Sequence, residues 1–478
     1  MTDAQKQYSQ DAFSQKKDSP AFRSKSYLEM ASKWPYVSDV IKGTLHLRQL
    51  GQKYLPKFPA EDKDVYEDRR KTAVCFDATG KTRNGLVGLI FRKDPTLSED
   101  TPQVIKDHLE NVDLAGTHWA VFAKEVEEAS VEYGHSFIFV DMQPEMEPGA
   151  THEDELKSGR RPYWIHYKAD QAINWFTKQV NGQTVLEQIT FEECTTEKDG
   201  RFGQKDVTRY RVLFLEAGAV KWELWRKDKD AGGKEEIALE DHGAFKNVTE
   251  IPLSVVYARK TGFLTSCPPL LNLAMLNLKH YQQQSEFDNT LHIVGYPMLC
   301  SDDADADETT VKAVGPALQV RVPKDCNVWY AEPDGSSLEH QAKNLETKKQ
   351  EMAVMGISFL AERVNVEQTA TEQVINHGER TSDLATMARS LKDALERSLG
   401  FHNQFLGGEA KAAGTAEMAD PSELVLSSED IRLLSDLVQR GQLDNETMWA
   451  MMLKAGRLPS NFEATLTSEN IGKMQPTI

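Results

Sequence analysis

The stretch Glu367 to Gly408, EQTATEQVINHGERTSDLATMARSLKDALERSLGFHNQFLGG, predicts a helix much longer than globular domains normally contain. Thr369, with Glu372 three residues later, fits a capping box, in which each side chain accepts a hydrogen bond from a free backbone amide at the helix start. Gly407 and Gly408 can adopt the left-handed conformation that ends a helix. A helix between these signals would be about 57 Å long, roughly three times the average.

The two halves of this stretch differ in their apolar pattern. The second half has apolar residues three or four positions apart, which places them on one face of a helix: Leu384, Ala388, Leu391, Leu395 and Leu399. Around Gly378 there is almost nothing to bury, and a glycine inside a helix costs about 1 kcal/mol relative to alanine. We therefore expect a kink or break at Gly378, the alternative being two ordinary helices joined there.

Charge and cysteine content narrow the classes of function. The 478 residues include 74 Asp and Glu against 56 Lys and Arg, a net charge of -18. This argues against a surface that clamps nucleic acid by neutralising phosphates, but not against a protein that DNA slides past. The five cysteines have no paired spacing, so neither a disulfide framework nor a zinc site is indicated. No signal-type segment or run of 18 apolar residues occurs, and we expect a soluble protein made in a reducing cytoplasm.

The N-terminal half reads as helices followed by a sheet. Residues 1–26 are polar and predict a flexible arm, and the chain up to about residue 140 is mostly helical, with one helix expected over 101–134 and ending at Gly134. HSFIFVDM, from His135, predicts a buried strand. Between about 163 and 257, aromatic and β-branched runs predict a meander of about six strands, with a hairpin turn at Asn181 and Gly182.

The C-terminal half is helical again. A helix of about 23 residues is expected after CPP at Cys267, with an apolar half, Leu270 to Leu278, and a polar half, His280 to Thr290, that suits a wet environment. A strand-like segment, QVRVPKDCNVWYAE, precedes a helix that ends at Gly356. After the long helix, two further helices are expected, capped at Ser427 or Ser428.

Two short motifs bear on chemistry. ATGKT, with Gly80, Lys81 and Thr82, suggests a phosphate loop, but Cys75 stands where the pattern needs glycine, so an ordinary turn is favoured. The acidic run Asp302, Asp303, Asp305, Asp307 and Glu308 has the odd spacing of a calcium loop without its glycine and final glutamate. It is either a solvated charge run or a surface for a basic partner. No hydrolase elbow or zinc-protease motif is present, so no catalytic residue, metal site or cofactor is predicted.

The order of elements and two long stretches resemble the portal proteins of tailed bacteriophages. The stretches are DVYEDRRKTAVCFDATGKTRNGLVGLIFRKDP, from Asp64, and IPLSVVYARKTGFLTSCPPLLNLAMLNLKHYQQQSEFDNTLHIVGYP, from Ile251. The resemblance covers nearly all of the chain from about Tyr27. It implies an α+β portal fold with a helical and β wing, two stem helices, a small α/β clip, a long kinked helix and a helical crown.

The resemblance also implies a role for each segment. These are the arm (1–26), wing (27–265), first stem helix (266–293), clip (294–335), second stem helix (336–356), tunnel loop (357–368), long helix (369–408) and crown (409–478). Within this scheme Glu362, Arg363 and Asn365 of the tunnel loop would face DNA. Lys348 and Lys349 are expected as basic contacts in the lumen, the acidic run would lie in the clip, and the kink would lie at Gly378.

The implied function is that of a structural conduit and not an enzyme. Portals of this kind form dodecameric rings at one capsid vertex of the virion, through which double-stranded DNA is packaged and later ejected. The implied partners are other copies of the chain, terminase, a head-completion adaptor or tail protein, and capsid and scaffolding proteins, with no membrane. Two alternatives stay open: a non-ring head adaptor that binds a basic partner through its acidic run, and a nucleotide-binding enzyme that uses Gly80, Lys81 and Thr82.

Overall fold

The computed structural model describes residues 17–143, 160–229, 235–294, 298–301, 328–331, 336–360, 370–418 and 444–454, with single positions between 432 and 458. It is a mixed helix and sheet structure. The predicted tunnel-loop residues Glu362, Arg363 and Asn365, the acidic run 302–308, most of the clip and the proposed caps Ser427 and Ser428 lie outside the described residues.

Short helices form the first part of the chain. They are α1 (Lys25–Ala31), α2 (Trp34–Ile41), α3 (Thr44–Leu50), α4 (Lys63–Thr72), α5 (Ala78–Ile90), α6 (Gln103–Leu109) and α7 (Trp119–Tyr133), with strand β1 (Thr96–Leu97) between α5 and α6. The single helix expected over 101–134 is therefore wrong. The chain turns between α6 and α7 because Leu114 and Gly116 have positive φ, 64° and 96°. The predicted stop is confirmed, since Gly134 ends α7 in the left-handed conformation at φ 95°.

A three-stranded sheet lies at the centre of the core. Its middle strand is β2 (His135–Met142), the predicted HSFIFVDM strand, whose first seven residues are buried. Strands β3 (Pro162–Lys168) and β9 (Leu253–Tyr257) pair with its two edges, both antiparallel. The prediction of one meander over about 163–257 is thus corrected: its first and last strands belong to the sheet of β2, because strand patterns do not specify partners.

The remaining strands form a five-stranded antiparallel meander. They are β4 (Ala172–Val180), β5 (Gln183–Asp199), β6 (Gly203–Glu216), β7 (Ala219–Lys229) and β8 (Glu235–Ala244), in that spatial order. The predicted hairpin turn is confirmed, since Asn181 and Gly182 have φ of 51° and 78°, the signs that a type I′ turn requires. Ala217 and Gly218 repeat the form between β6 and β7, at 51° and 82°.

A buried ionic network joins the two sheets. Arg211 on β6 donates through Nε to Glu193 on β5 at 2.7 Å and through Nη1 to Asp141 on β2 at 3.4 Å. Tyr163 and Tyr167 on β3 donate their hydroxyls to Asp141 and Glu193, respectively. The guanidinium, the two carboxylates and the two phenols therefore satisfy one another in the core. This network fixes the orientation of one sheet relative to the other.

The C-terminal part consists of long helices with short strands between them. It contains β10 (Lys260–Gly262), β11 (Thr265–Ser266), α8 (Leu271–Val294), β12 (Met298–Ser301), β13 (Val328–Ala331), α9 (Ser336–Leu360), α10 (Ala370–Phe405), β14 (Ala416–Glu417) and α11 (Asn445–Lys454). Strands β12 and β13 pair antiparallel, so they bring the end of α8 and the start of α9 together.

Three predicted segment boundaries differ from those of the observed elements. The first stem helix, expected from 266, begins at Leu271, because Pro268 and Pro269 come before the first helical turn. The loop expected from 357 is helical as far as Leu360, because Gly356 does not end α9. The expected crown starts in contact with the wing, since Ala416 and Glu417 of β14 pair with β1.

The long helix α10 packs on the sheet of β2 as its apolar stripe predicts. Leu391, Leu395 and Leu399 are fully buried, and Ser390 Oγ accepts a hydrogen bond from Tyr257 N at 2.8 Å. After Phe405 the chain reverses at Gly407, whose φ is 85°. Helix α10 is continuous through Gly378, so two separate helices are excluded, while a kink at Gly378 stays a prediction.

Candidate functional site

Helices α8 and α9 pack against each other as an antiparallel pair. Leu276 on α8 lines a groove with Val354 and Met355 on α9, whereas His280, one turn later on α8, lies near Lys348 and Lys349, an earlier part of α9. Residue numbers therefore rise along one helix as they fall along the other. The sequence predicts these two elements as stem helices, and the pair is the candidate functional site.

Helix α9 contacts the rest of the chain along a narrow stripe. Between 338 and 356, the only buried residues are Leu345, Met352 and Gly356, spaced seven and four positions apart. Gly356 packs closely on α5, since a Cβ at this position would lie 2.7 Å from Thr82 Oγ1. Most of the other side chains between 338 and 356 are exposed.

The polar half of α8 is only partly in the wet environment that the sequence suggested, since Glu286 and Asp288 are exposed but three other residues are buried. His280, Tyr281 and Ser285 are 1%, 0% and 2% exposed, and neither ring nitrogen of His280 has a hydrogen-bond partner in the described part of the chain. The Tyr281 and Ser285 hydroxyls have none there either. The prediction was wrong for these three residues because it equated polar residues with solvent, whereas α2, α4, α5 and α9 pack against this helix.

The charge near His280 is positive. Burial lowers the pKa of His280, and the nearby Lys349 and Lys348 ammonium groups lower it further. The imidazole ring is therefore neutral at pH 7, because a protonated ring would lie next to two other cations. Each unpartnered buried polar group costs about 1–3 kcal/mol.

The two lysines predicted as lumen contacts lie on the side of α9 that faces the protein. The Lys348 side chain is 19% exposed and its Nζ is 4.0 Å from Glu351 Oε2. Lys349 lines a groove with Phe76 and Lys81, at the start of α5. In a single subunit, Lys343 is more exposed than either, and a lumen role for Lys348 and Lys349 stays a prediction.

The ATGKT segment forms the first turn of α5 and not a phosphate-binding loop. Asp77 caps the helix by accepting a hydrogen bond from Gly80 N at 3.0 Å. Thr82 donates its hydroxyl to Ala78 O, and Thr79 donates to Asn277 on α8 at 3.0 Å. The Gly80 amide and the Thr82 hydroxyl are thus used within the protein, and Thr79 links α5 to α8.

The described residues also limit other kinds of site. Among them, no group of three or more His, Cys, Asp or Glu residues is arranged to hold a metal ion. No helix within the described ranges is both long enough and apolar enough to cross a membrane.

Comparisons with known proteins find similarity in the C-terminal helices and in the overall chain. A family model described as a domain of unknown function, DUF4055, matches residues 269–406, which contain α8, α9 and α10. A chain in the solved structure "Virion of native gene transfer agent (GTA) particle" is 11% identical, with a TM-score of 0.42 over 86% of this chain and 98% of that one. A chain in "Neck of native GTA particle computed with C12 symmetry" is 12% identical, with a TM-score of 0.38 over 85% and 98%. None of the curated proteins that were compared matches.

Proposed function

We propose that this chain is the subunit of a portal ring at one vertex of a phage-like capsid. In that ring it forms the channel through which double-stranded DNA enters and leaves, without chemistry of its own. Terminase, a head-completion adaptor or tail protein, and capsid and scaffolding proteins would dock on it. The finished protein would belong to the virion after synthesis in the host cytoplasm.

One observation carries the proposal: the incomplete packing of α9 within a single subunit. Between 338 and 356 this helix buries only three residues, which does not stabilise it by its own chain alone, because most helical stability in proteins comes from a packed face. A ring supplies the missing neighbours on its flanks. The observed element order also supports the proposal, since a long antiparallel pair, a joining strand pair and a 36-residue helix occur in the order that the resemblance implies.

The net charge of the chain supports a channel that DNA passes through and not a surface that holds DNA. The net charge of -18 per chain would be repeated in every subunit, so a ring repels phosphate and DNA moves through without being held. Arg363 in the predicted tunnel loop, with Glu362 and Asn365 beside it, is proposed as the weak contact that interrupts this repulsion. Each phosphate that a basic residue neutralises releases about one counterion.

The test is the mass of the purified protein in solution, measured by light scattering, with negative-stain images of the same sample. Rings with an axial hole, of about twelve subunits, are expected. A chain that stays monomeric at every concentration, also when scaffolding protein is added, would contradict the proposal and favour a non-ring adaptor.

The nucleotide-binding alternative has its own test. Titration of ATP into the wild-type protein, followed by calorimetry, should give no heat of binding, because the groups of Gly80 and Thr82 are already hydrogen-bonded. Binding that is lost in Lys81→Ala would instead support an enzyme.

A further inference from the structure

Two grooves run along the C-terminal half of α9, one on each flank. The first, here called the basic groove, lies between α9 and the start of α5, has a volume of about 450 Å³, and includes Phe76, Lys81, Glu346 and Lys349 in its lining. The second, here called the acidic groove, lies between α9 and α8 and has a volume of about 420 Å³. Its lining consists of Leu276, Thr347, Gln350, Glu351, Val354 and Met355.

The two grooves lie on different flanks of α9 and adjoin at Gln350, which lines both. Successive residues of a helix are about 100° apart, so Glu346, Lys349 and Ala353 lie on one flank of α9. Lys349 and Glu351, two positions apart, lie about 160° from each other around the helix. These two charged residues can therefore contact two different neighbours at once.

The grooves have opposite charges. Two lysines, Lys81 and Lys349, and one carboxylate, Glu346, line the basic groove. In the acidic groove, Glu351 is the only charged residue among the described lining residues, and its side chain is 52% exposed. Its contact with Lys348, at 4.0 Å, is a weak pair within one helix that leaves it able to accept a second cation.

Both grooves also expose apolar surface. Phe76, in the basic groove, is 43% exposed, and Val354, in the acidic groove, is 57% exposed. Apolar side chains next to a few charges are typical of surfaces that meet another protein. Because the charges on the two flanks are opposite, the surface of one flank is complementary to the surface of the other.

We propose that the basic groove of one copy receives the acidic flank of α9 from a second copy of this chain. Lys81 and Lys349 would then face Glu351 of the partner subunit, with Phe76 against the partner subunit's Val354. Such a contact joins two different surfaces, so it repeats from copy to copy and closes into a ring when the rotation per subunit allows it. This inference rests on the proposed ring and names the surfaces that form it.

Charge reversal tests the pairing directly. Lys349→Glu makes both grooves acidic and Glu351→Lys makes both basic, so each variant alone should need at least about tenfold more protein than wild type for half-assembly. Mixing the two variants in equal amounts places an acidic groove against a basic one at every contact, in alternating rings. The mixture, and the double variant Lys349→Glu/Glu351→Lys, should assemble within about threefold of the wild-type concentration.

Mass photometry over a concentration series gives these midpoints, and matched controls exclude general charge effects. Lys343→Glu and Glu339→Lys make the same charge changes on exposed positions of α9 that line neither groove, and they should assemble like wild type. Thermal unfolding of each variant checks that the subunit is intact. In about 1 M salt the differences between the variants should shrink, because the screening length falls to about 3 Å.

The outcomes separate this inference from the proposed function. If the wild type forms rings and both single variants assemble equally well, the pairing is wrong while the portal proposal stands. Weakened variants that the mixture does not rescue would also overturn the pairing. If the variants assemble normally but lose binding to terminase or an adaptor, the grooves serve that partner and not a second copy. A wild type that never forms rings would end the portal proposal itself.

Discussion

The predicted wing, residues 27–265, and the α8–α9 pair differ in how much surface a single subunit buries. In the wing, one continuous apolar core joins helices α5 to α7 to the sheet of β2, and Arg211 and its carboxylate and phenol partners satisfy one another between two sheets. Helix α9 buries only three residues between 338 and 356. Both regions contain buried polar atoms without a hydrogen-bond partner among the described residues, such as the Glu127 carboxylate and the Tyr281 hydroxyl, so the exposure of α9 is what distinguishes them. If the proposed ring forms, α9 is the part that gains neighbours.

Removal of the Arg211 side chain should have the largest effect on the wing. Arg211→Leu leaves the carboxylates of Asp141 and Glu193 buried without their cation, which should lower the free energy of unfolding by about 3–5 kcal/mol. Urea denaturation followed by circular dichroism measures this. Arg226→Leu on the same meander, where the side chain is 26% exposed and pairs with Glu197 near the surface, is the matched control and should change stability little. Equal effects would show that the buried network does not hold the two sheets together.

A cavity should lower the free energy of unfolding by different amounts in the two regions. Ile138→Ala on β2 empties a fully buried site in the tightly packed wing and should cost about 2–5 kcal/mol. Leu345→Ala on α9 removes a residue that is 5% exposed beside an open helix, and should cost less than half as much in the monomer. The midpoints of urea unfolding give both values. A larger loss for Leu345→Ala would contradict the view that the helix pair is loosely held.

The pH dependence of stability tests the buried acid of the wing. Glu127 on α7 is fully buried, and burial raises its pKa to about 8. Because the folded state keeps its proton while the unfolded state loses it above about pH 4.5, stability should fall by about 1.4 kcal/mol per pH unit between roughly pH 5 and 8. Glu127→Gln carries no ionisable group at this position and should remove this part of the slope. Identical slopes for the two proteins, from urea unfolding at several pH values, would show that Glu127 is already ionised.

The smallest effect on stability is expected at Gly378. Gly378→Ala should stabilise α10 by no more than about 1 kcal/mol, because the helix is already continuous there. If the predicted kink serves DNA passage, the change should straighten the helix and reduce packaging in a terminase-driven assay while the ring mass stays normal. Loss of ring assembly to the same degree as packaging would contradict that role.

Local features of the fold could be predicted from the sequence, and pairings could not. Asn181–Gly182 and Gly134 were predictable because each requires a positive φ that few other residues tolerate. The choice of β2 as the partner of β3 and β9 was not, because it depends on packing of distant segments. The same holds for the candidate site: Lys348 and Lys349 were found as basic residues, but their orientation toward α8 and α5 depends on where α9 packs.

The attachment of α10 gives it the mechanics of a lever. The part from 385 to 405 packs on the sheet of β2 and is the anchored part, and the same continuous helix begins at Ala370, about 15 residues or about 22 Å earlier. A tilt of about 5° at the edge of the anchored part would move the far end by about 2 Å. Because α9 and α10 are consecutive along the chain, a small rearrangement in the packed wing would be amplified into a larger displacement beside the helix pair.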